Sequence, residues 1–128
     1  MSTLRIGTLE SLSGSNSVSQ TTIFSGTAKA WSNLDGTGTI AERDSFNISS
    51  YTDNGTGNYD VNLSSALADT NQSVFMSSAS GAPVSTNRNV WQHAVLETSS
   101  LINLNNYNAS VGQFDMAYNY SSGLGVLA

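Results

Sequence analysis

One imidazole, His93, and no thiol are available for chemistry in this chain. A hydrolase needs a nucleophile, a base and an orienting group. Serines are plentiful, but none sits in a G-x-S-x-G elbow. His93 alternates with Trp91 and Val95, a setting that suits a hydrogen-bonded structural histidine on a strand better than a catalytic one. One imidazole without cysteine falls short of a zinc site. Calcium takes oxygen ligands, and Asp53-Asn54-Gly55 with Asp60 is oxygen-rich, yet the bidentate glutamate that closes an EF-hand loop is missing. A hairpin turn accounts for the same residues. Glu10, Glu42 and Glu97 are scattered, and Asp44 beside Arg43 reads as a solvated strand edge, so no carboxylate pair for glycoside hydrolysis emerges. The expectation is a protein that is not an enzyme, with no catalytic, metal or cofactor-binding residue. Saccharide recognition needs aromatic platforms beside amides and hydroxyls. Trp91, Tyr107, Tyr118 and Tyr120 supply them in an asparagine-rich background, with Trp91 and Tyr107 the candidate ligand-binding residues. The plainer expectation places these rings in the core of a small β domain.

Composition narrows the partners. Ser, Thr and Asn supply 49 of the 128 residues, whereas Asp, Glu, Lys and Arg supply 13, with a net charge of −5. Leu, Ile, Val and Phe number 28, near the level at which disorder begins, but disorder also needs a high net charge. Four basic residues, Arg5, Lys29, Arg43 and Arg88, cannot form the positive footprint that a phosphate backbone requires, so nucleic acid is not an expected partner. No apolar run approaches the roughly 18 residues of a membrane span, and membrane insertion is not expected. Met1 to Arg5 leads into no long apolar segment, so no secretory signal is expected either. Without disulfides, stability must come from burial, hydrogen bonding or assembly.

These residues must be positioned by strands. Ser, Thr, Asn and Gly recur too often for a long helix, and alternation is the stronger signal. Residues 28–34 put Ala28, Ala30, Ser32 and Leu34 on one face and Lys29, Trp31 and Asn33 on the other. Residues 45–64 read as a β-hairpin around Asn54-Gly55 and Gly57, with Tyr59, Val61 and Leu63 alternating after the turn. Tyr51 falls out of phase with Phe46 and Ile48, which a bulge explains. Further strands are expected at 73–78, 90–97, 101–104 and 113–120, the last with Phe114, Met116, Tyr118 and Tyr120 on one face. The spacing predicts an all-β domain over 28–128, an antiparallel β-sandwich or barrel-like fold. Residues 1–27 have little to bury after a short strand around Leu4, Ile6 and Leu9, and read as an extended N-terminal arm or linker.

One stretch is more specific than composition. Lys29-Ala30-Trp31, Asn33, Gly36-Thr37-Gly38-Thr39, Arg43, Ser45-Phe46-Asn47, Ser49-Ser50, Thr52 to Gly57, Tyr59 and Val61 form an ordered string. It resembles a module of tailed-bacteriophage virion proteins, those of cyanophages among them, described as tail fibre or tail-associated proteins. The resemblance spans 28–63 and thins out through Ala66 and Asp69 to Val74; residues 80–128 depart from it. It implies a structural fibre or tail-associated component, assembled in the host bacterial cytoplasm and residing in the virion. It also implies a homotrimer that docks on other virion proteins, with residues 1–27 as the docking arm. No catalytic residue carries over. Two alternatives are a capsid decoration (cement) protein and a receptor-recognition tip that grips host surface glycan.

Overall fold

Alternating side chains give most of the central strands one wet and one dry face, and two large sheets result beside a small two-stranded one. The computed structural model describes residues 7–11, 13–14, 16–79, 90–109 and 111–128. In chain order the elements are β1 (Thr8–Glu10), β2 (Ser17–Ser19), α1 (Gln20–Gly26), β3 (Ala28–Asp35), β4 (Ala41–Phe46) and β5 (Ile48–Asp53). There follow β6 (Asn58–Leu63), β7 (Ser73–Ala79), β8 (Val90–Thr98), β9 (Leu101–Asn108), β10 (Gly112–Gln113) and β11 (Tyr118–Leu124). The first large sheet runs β4-β3-β11-β7. In the second, β9 pairs with β8 on one side and with β6 and the short β10 on the other, and β5 lies beyond β6. All pairings are antiparallel. Ala30 of the first sheet meets Val61, Leu63, Leu96, Ile102 and Leu104 of the second, with Leu67 from the β6–β7 connection. Ile48, Tyr51, Val74 and Met76 flank them, so the fold is all-β and sandwich-like.

Asn47 is the pivot that passes the chain between sheets. Its φ of 60° is left-handed, a region that asparagine tolerates better than most residues. Its side chain is fixed on both ends: Nδ2 donates to the carbonyls of Lys29 and Ser65 (both 3.0 Å), and Oδ1 accepts from the Ser65 amide (2.8 Å). Phe46 therefore stays exposed on β4 while Ile48 turns to the core on β5. The hairpin expected over 45–64 is confined to β5 and β6, because residues 45 and 46 pair with β3 instead. A register shift between Ile48 and Ser50 is the bulge that brings Tyr51 back into phase. At the turn, Gly55 (φ 112°) and Gly57 (φ 69°) supply the left-handed geometry, and Asp53 Oδ1 accepts from the Gly55 amide at 2.9 Å.

Three expectations need correction. Residues 113–120 are not one strand: β10 ends at Gln113 in the second sheet, and β11 begins at Tyr118 in the first. The chain changes sheets between them, so Met116 is buried while Tyr120 is exposed. The 101–104 strand also extends to Asn108. Residues 20–26, placed in an extended arm or linker, form a helix whose cap is Ser19; its Oγ accepts from the Thr22 amide at 3.1 Å. The helix buries none of its residues, and β1 and β2 form a separate two-stranded hairpin. Leu4 and Ile6 lie outside the described residues, as does Pro83.

One end of the sandwich is filled by amides rather than aliphatic side chains. Asn106 on β9 and Asn119 on β11 are both fully buried. Asn106 Nδ2 donates to Asn119 Oδ1 at 2.7 Å, joining the two sheets. Asn119 Nδ2 donates to the carbonyls of Met116 (2.9 Å) and Leu34 (3.3 Å), and Ser78 Oγ donates to Asn106 Oδ1 (2.8 Å). Beside them the buried Tyr59 hydroxyl lies 2.6 Å from Asp115 Oδ1 and 2.9 Å from the Gly36 carbonyl. A Cβ at Gly36 would sit 2.5 Å from that hydroxyl, so only glycine fits there.

Replacing Asn119 by Ala leaves Asn106 Nδ2 without its acceptor and takes a donor from the Leu34 and Met116 carbonyls, the second of which keeps the Gly36 amide at 3.0 Å. Urea denaturation is expected to show a loss of about 3 kcal/mol, since each buried unpaired group costs about 1–3 kcal/mol. The Asn106→Ala, Asn119→Ala double variant is expected to lose less than the sum of the single variants, because both remove one shared bond.

Burial pushes the Tyr51 hydroxyl up to about 12, and burial with the Asp115 carboxylate pushes Tyr59 up as well. Both groups hold their protons more tightly folded than unfolded. Their contribution to stability is thus intact below about pH 10, the unfolded tyrosine value, and is lost as pH rises through about 12 for Tyr51 and higher still for Tyr59. The Tyr51 hydroxyl has no hydrogen-bond partner among the described residues. Tyr51→Phe is therefore expected to leave stability at neutral pH unchanged or raised, and to soften the alkaline decline in Tm.

Candidate binding surfaces

On β8, residues 91, 93, 95 and 97 point away from the core, while Ala94 and Leu96 point into it. Trp91 pairs across to Tyr107 on β9, and their rings stack in an offset arrangement, with centroids 5.8 Å apart and planes 7° from parallel. Trp91 is 62% exposed and Tyr107 42%. His93 pairs with Asn105 in the next row and is also exposed. It is therefore not a buried structural histidine, and the residue that it faces is an amide.

An amide ladder continues from the two rings across the second sheet. Gln113 on β10, directly across from Tyr107, donates through Nε2 to Asn105 Oδ1 at 3.0 Å. Asn105 Nδ2 donates to Asn103 Oδ1. Asn103 Nδ2 donates to Asn58 Oδ1 (2.8 Å) and Asp60 Oδ1 (2.7 Å) on β6. Asp60 is thus engaged in the ladder and Asp53 in its turn. Among the described residues no group of three His, Asp or Glu is placed to hold a metal ion, and no helix is long and apolar enough to cross a membrane.

The outer face of the first sheet has a different character. Phe46 on β4 pairs with Trp31 on β3, Trp31 with Ser122 on β11, and Ser122 with Phe75 on β7. Phe46 and Phe75 are more than half exposed, and Trp31 and Tyr120 are exposed as well. The small Ser122 leaves an open groove of about 360 Å³ between Trp31, Phe75 and Tyr120. At its far end Tyr118 stacks on Tyr120 (6.1 Å), and the Arg43 guanidinium lies 4.5 Å over the Tyr118 ring. Arg43 also bonds Asp35 and the Ala117 carbonyl, so its ion-pair partner is Asp35 rather than its neighbour Asp44. Thr37, donating to Asp35 Oδ1 from both hydroxyl (2.6 Å) and amide (3.0 Å), holds that carboxyl below its ordinary range, with Arg43 adding to the effect.

The expectation that Trp91, Tyr107, Tyr118 and Tyr120 build the core is overturned. The period-2 phase of β11 sends Asn119, Ser121 and Gly123 inward and the tyrosines outward. The aromatic core role falls to Tyr59 and, in part, Tyr51. Trp31, Phe46 and Phe75 were not singled out as surface residues from the sequence. Alternation of Trp31 with Ala30, Ser32 and Leu34 carried the signal for the first of them.

Because Trp91 touches mainly one ring and solvent, Trp91→Ala is expected to keep the fold. Its loss of stability in urea should be about 1 kcal/mol, the worth of an exposed cross-strand aromatic pair. In a Trp31→Phe background the emission of Trp91 should be that of a hydrated indole, readily quenched by acrylamide. Comparison with protein families, with curated proteins and with solved structures found no match for this chain.

Proposed function

We propose that this chain is a non-enzymatic structural protein of a tailed-bacteriophage virion, a fibre or tail-associated component. It works as a homotrimer whose subunits join through the outer face of the first sheet. The observation that carries this reading is the aromatic row of Phe46, Trp31 and Phe75, with Tyr120 beside it, on a face that a solitary domain gains nothing by leaving apolar. Four rings of this kind, about half exposed, present roughly 400 Å² of aromatic surface, a large part of the ~800 Å² that each partner buries in a stable interface. The ordered string over 28–63 supports the virion setting, and it includes Trp31 and Phe46. Residues 1–27 act as the arm that docks on a neighbouring virion protein. In this role the exposed hairpin and helix, with Leu9 and Phe24 on their surface, gain the burial that they lack within the chain.

Light scattering on the purified chain is expected to give three times the monomer mass, stable to dilution. The Trp31→Ser, Phe75→Ser double variant is expected to give folded monomers. A dilution-resistant monomer for the parent chain overturns the trimer. Quantitative mass spectrometry of purified particles separates the tail from the shell, because a decoration protein is present at the copy number of the capsid lattice.

A further inference from the structure

The outer face of the second sheet is unlike a subunit interface. It is a plane of amides that ends in two exposed rings, and it lies on the opposite side of the sandwich from the aromatic row. We propose that this face is a binding site for a neutral saccharide. The sugar stacks on the Trp91–Tyr107 pair and is oriented by Asn105, Gln113 and His93. This goes beyond the structural role above and does not depend on it.

The register sets out the site. Trp91, Tyr107 and Gln113 form one row across β8, β9 and β10. His93, Asn105 and Asn58 form the next row across β8, β9 and β6. A pyranose has an apolar face of C–H groups and a rim of hydroxyls. The apolar face suits the electron-rich face of an indole or phenol, and the rim needs donors and acceptors at a fixed distance from it. Asn105 and Gln113 stand beside Tyr107 and meet that need.

The ladder also decides which groups are free. Asn103 spends both amide hydrogens on Asn58 and Asp60. Asn105 spends one hydrogen on Asn103 and one lone pair on Gln113. Each amide has two donors and two acceptor positions. Among the described residues Asn105 therefore keeps a second hydrogen and a second lone pair, and Gln113 keeps its carbonyl and one hydrogen. These groups are held in place before a ligand arrives, which lowers the ordering cost of binding.

Charge selects the class of sugar. Asp60 lies within the ladder, and Glu97 is exposed on the same strand as Trp91. The two cations among the described residues, Lys29 and Arg43, belong to β3 and β4 of the other sheet. An acidic sugar would be repelled by these carboxylates, so the site takes a neutral one. In a trimer joined through the first sheet, the second-sheet faces point outward, and weak single sites gain by multivalency.

The test uses the full chain on an array of neutral gluco-, galacto- and manno-configured oligosaccharides, with uronate- and sialate-bearing counterparts beside them. Hits are followed in solution by NMR with monovalent sugar, so that oligomeric state does not enter. The expected result is binding of a neutral oligosaccharide that shifts the Trp91 indole N–H resonance. Affinity should fall at least tenfold in Trp91→Ala, persist in Trp91→Phe and fall severalfold in Asn105→Ala, with all variants folded by circular dichroism. Absence of neutral-sugar binding at millimolar concentration overturns the proposal. So does binding of acidic sugars alone, or binding that survives both Trp91→Ala and Tyr107→Ala. A monomer that binds sugar refutes only the trimer, and a trimer that binds none refutes only this site.

Discussion

The hydrogen bond between the buried amides of Asn106 and Asn119 links the two sheets at the end where aliphatic packing gives out. Both side chains are fully enclosed, and an amide enclosed without partners costs more than the bond returns when made. The pair is therefore tolerable only with Ser78 on one side and the Met116 and Leu34 carbonyls on the other. That requirement fixes where β11 lies against β9, and hence where the chain crosses between sheets after β10. Tyr59, Asp115 and the amide of Gly57 add a second polar tie at the same end. Polar networks of this kind specify one arrangement more strictly than apolar contacts do, because a slipped register leaves groups unpaired.

A core built this way is thin, and it rearranges the usual placement of aromatic residues. The aliphatic cluster is made of Ala30, Val61, Leu63, Leu67, Leu96, Ile102 and Leu104, and Ser32 and Ser121 face each other inside the sandwich at 2.8 Å. Apart from Tyr59 and the partly buried Tyr51, the large rings lie outside this core. They stand on the outer faces, which leaves the molecule with two unlike surfaces: an apolar aromatic row on one sheet, and an amide plane with one stacked pair on the other. The proposed division of labour, assembly through the first and recognition through the second, follows from that separation.

Much of the local structure was legible. The alternation of Ala30, Ser32 and Leu34, and of Tyr59, Val61 and Leu63, identified the inward faces of β3 and β6 because a period of two survives any tertiary arrangement. Asn54-Gly55 and Gly57 marked the turn for an equally local reason. The 113–120 segment misled because its own alternation continues through a crossing between sheets, and nothing in the pattern marks where pairing partners change. Helix α1 escaped notice because a seven-residue helix has almost no periodic signal, and its Ser19 cap is one serine among many.

Trp91 and Tyr107 were recognised as chemically suitable, yet their meeting depended on pairing. Residues sixteen apart in the chain become direct neighbours only when β8 and β9 fold back in a particular register. The sequence by itself determined that the chain is all-β, where its hairpin turns, and which residue types are present for recognition. Those properties reside in backbone preference and short-range periodicity. Tertiary structure alone decided that the aromatic residues face solvent, that two asparagines hold the sheets together, and that amides from β6, β9 and β10 form one ladder. Each of these depends on contacts between distant segments, whose energies no local pattern records.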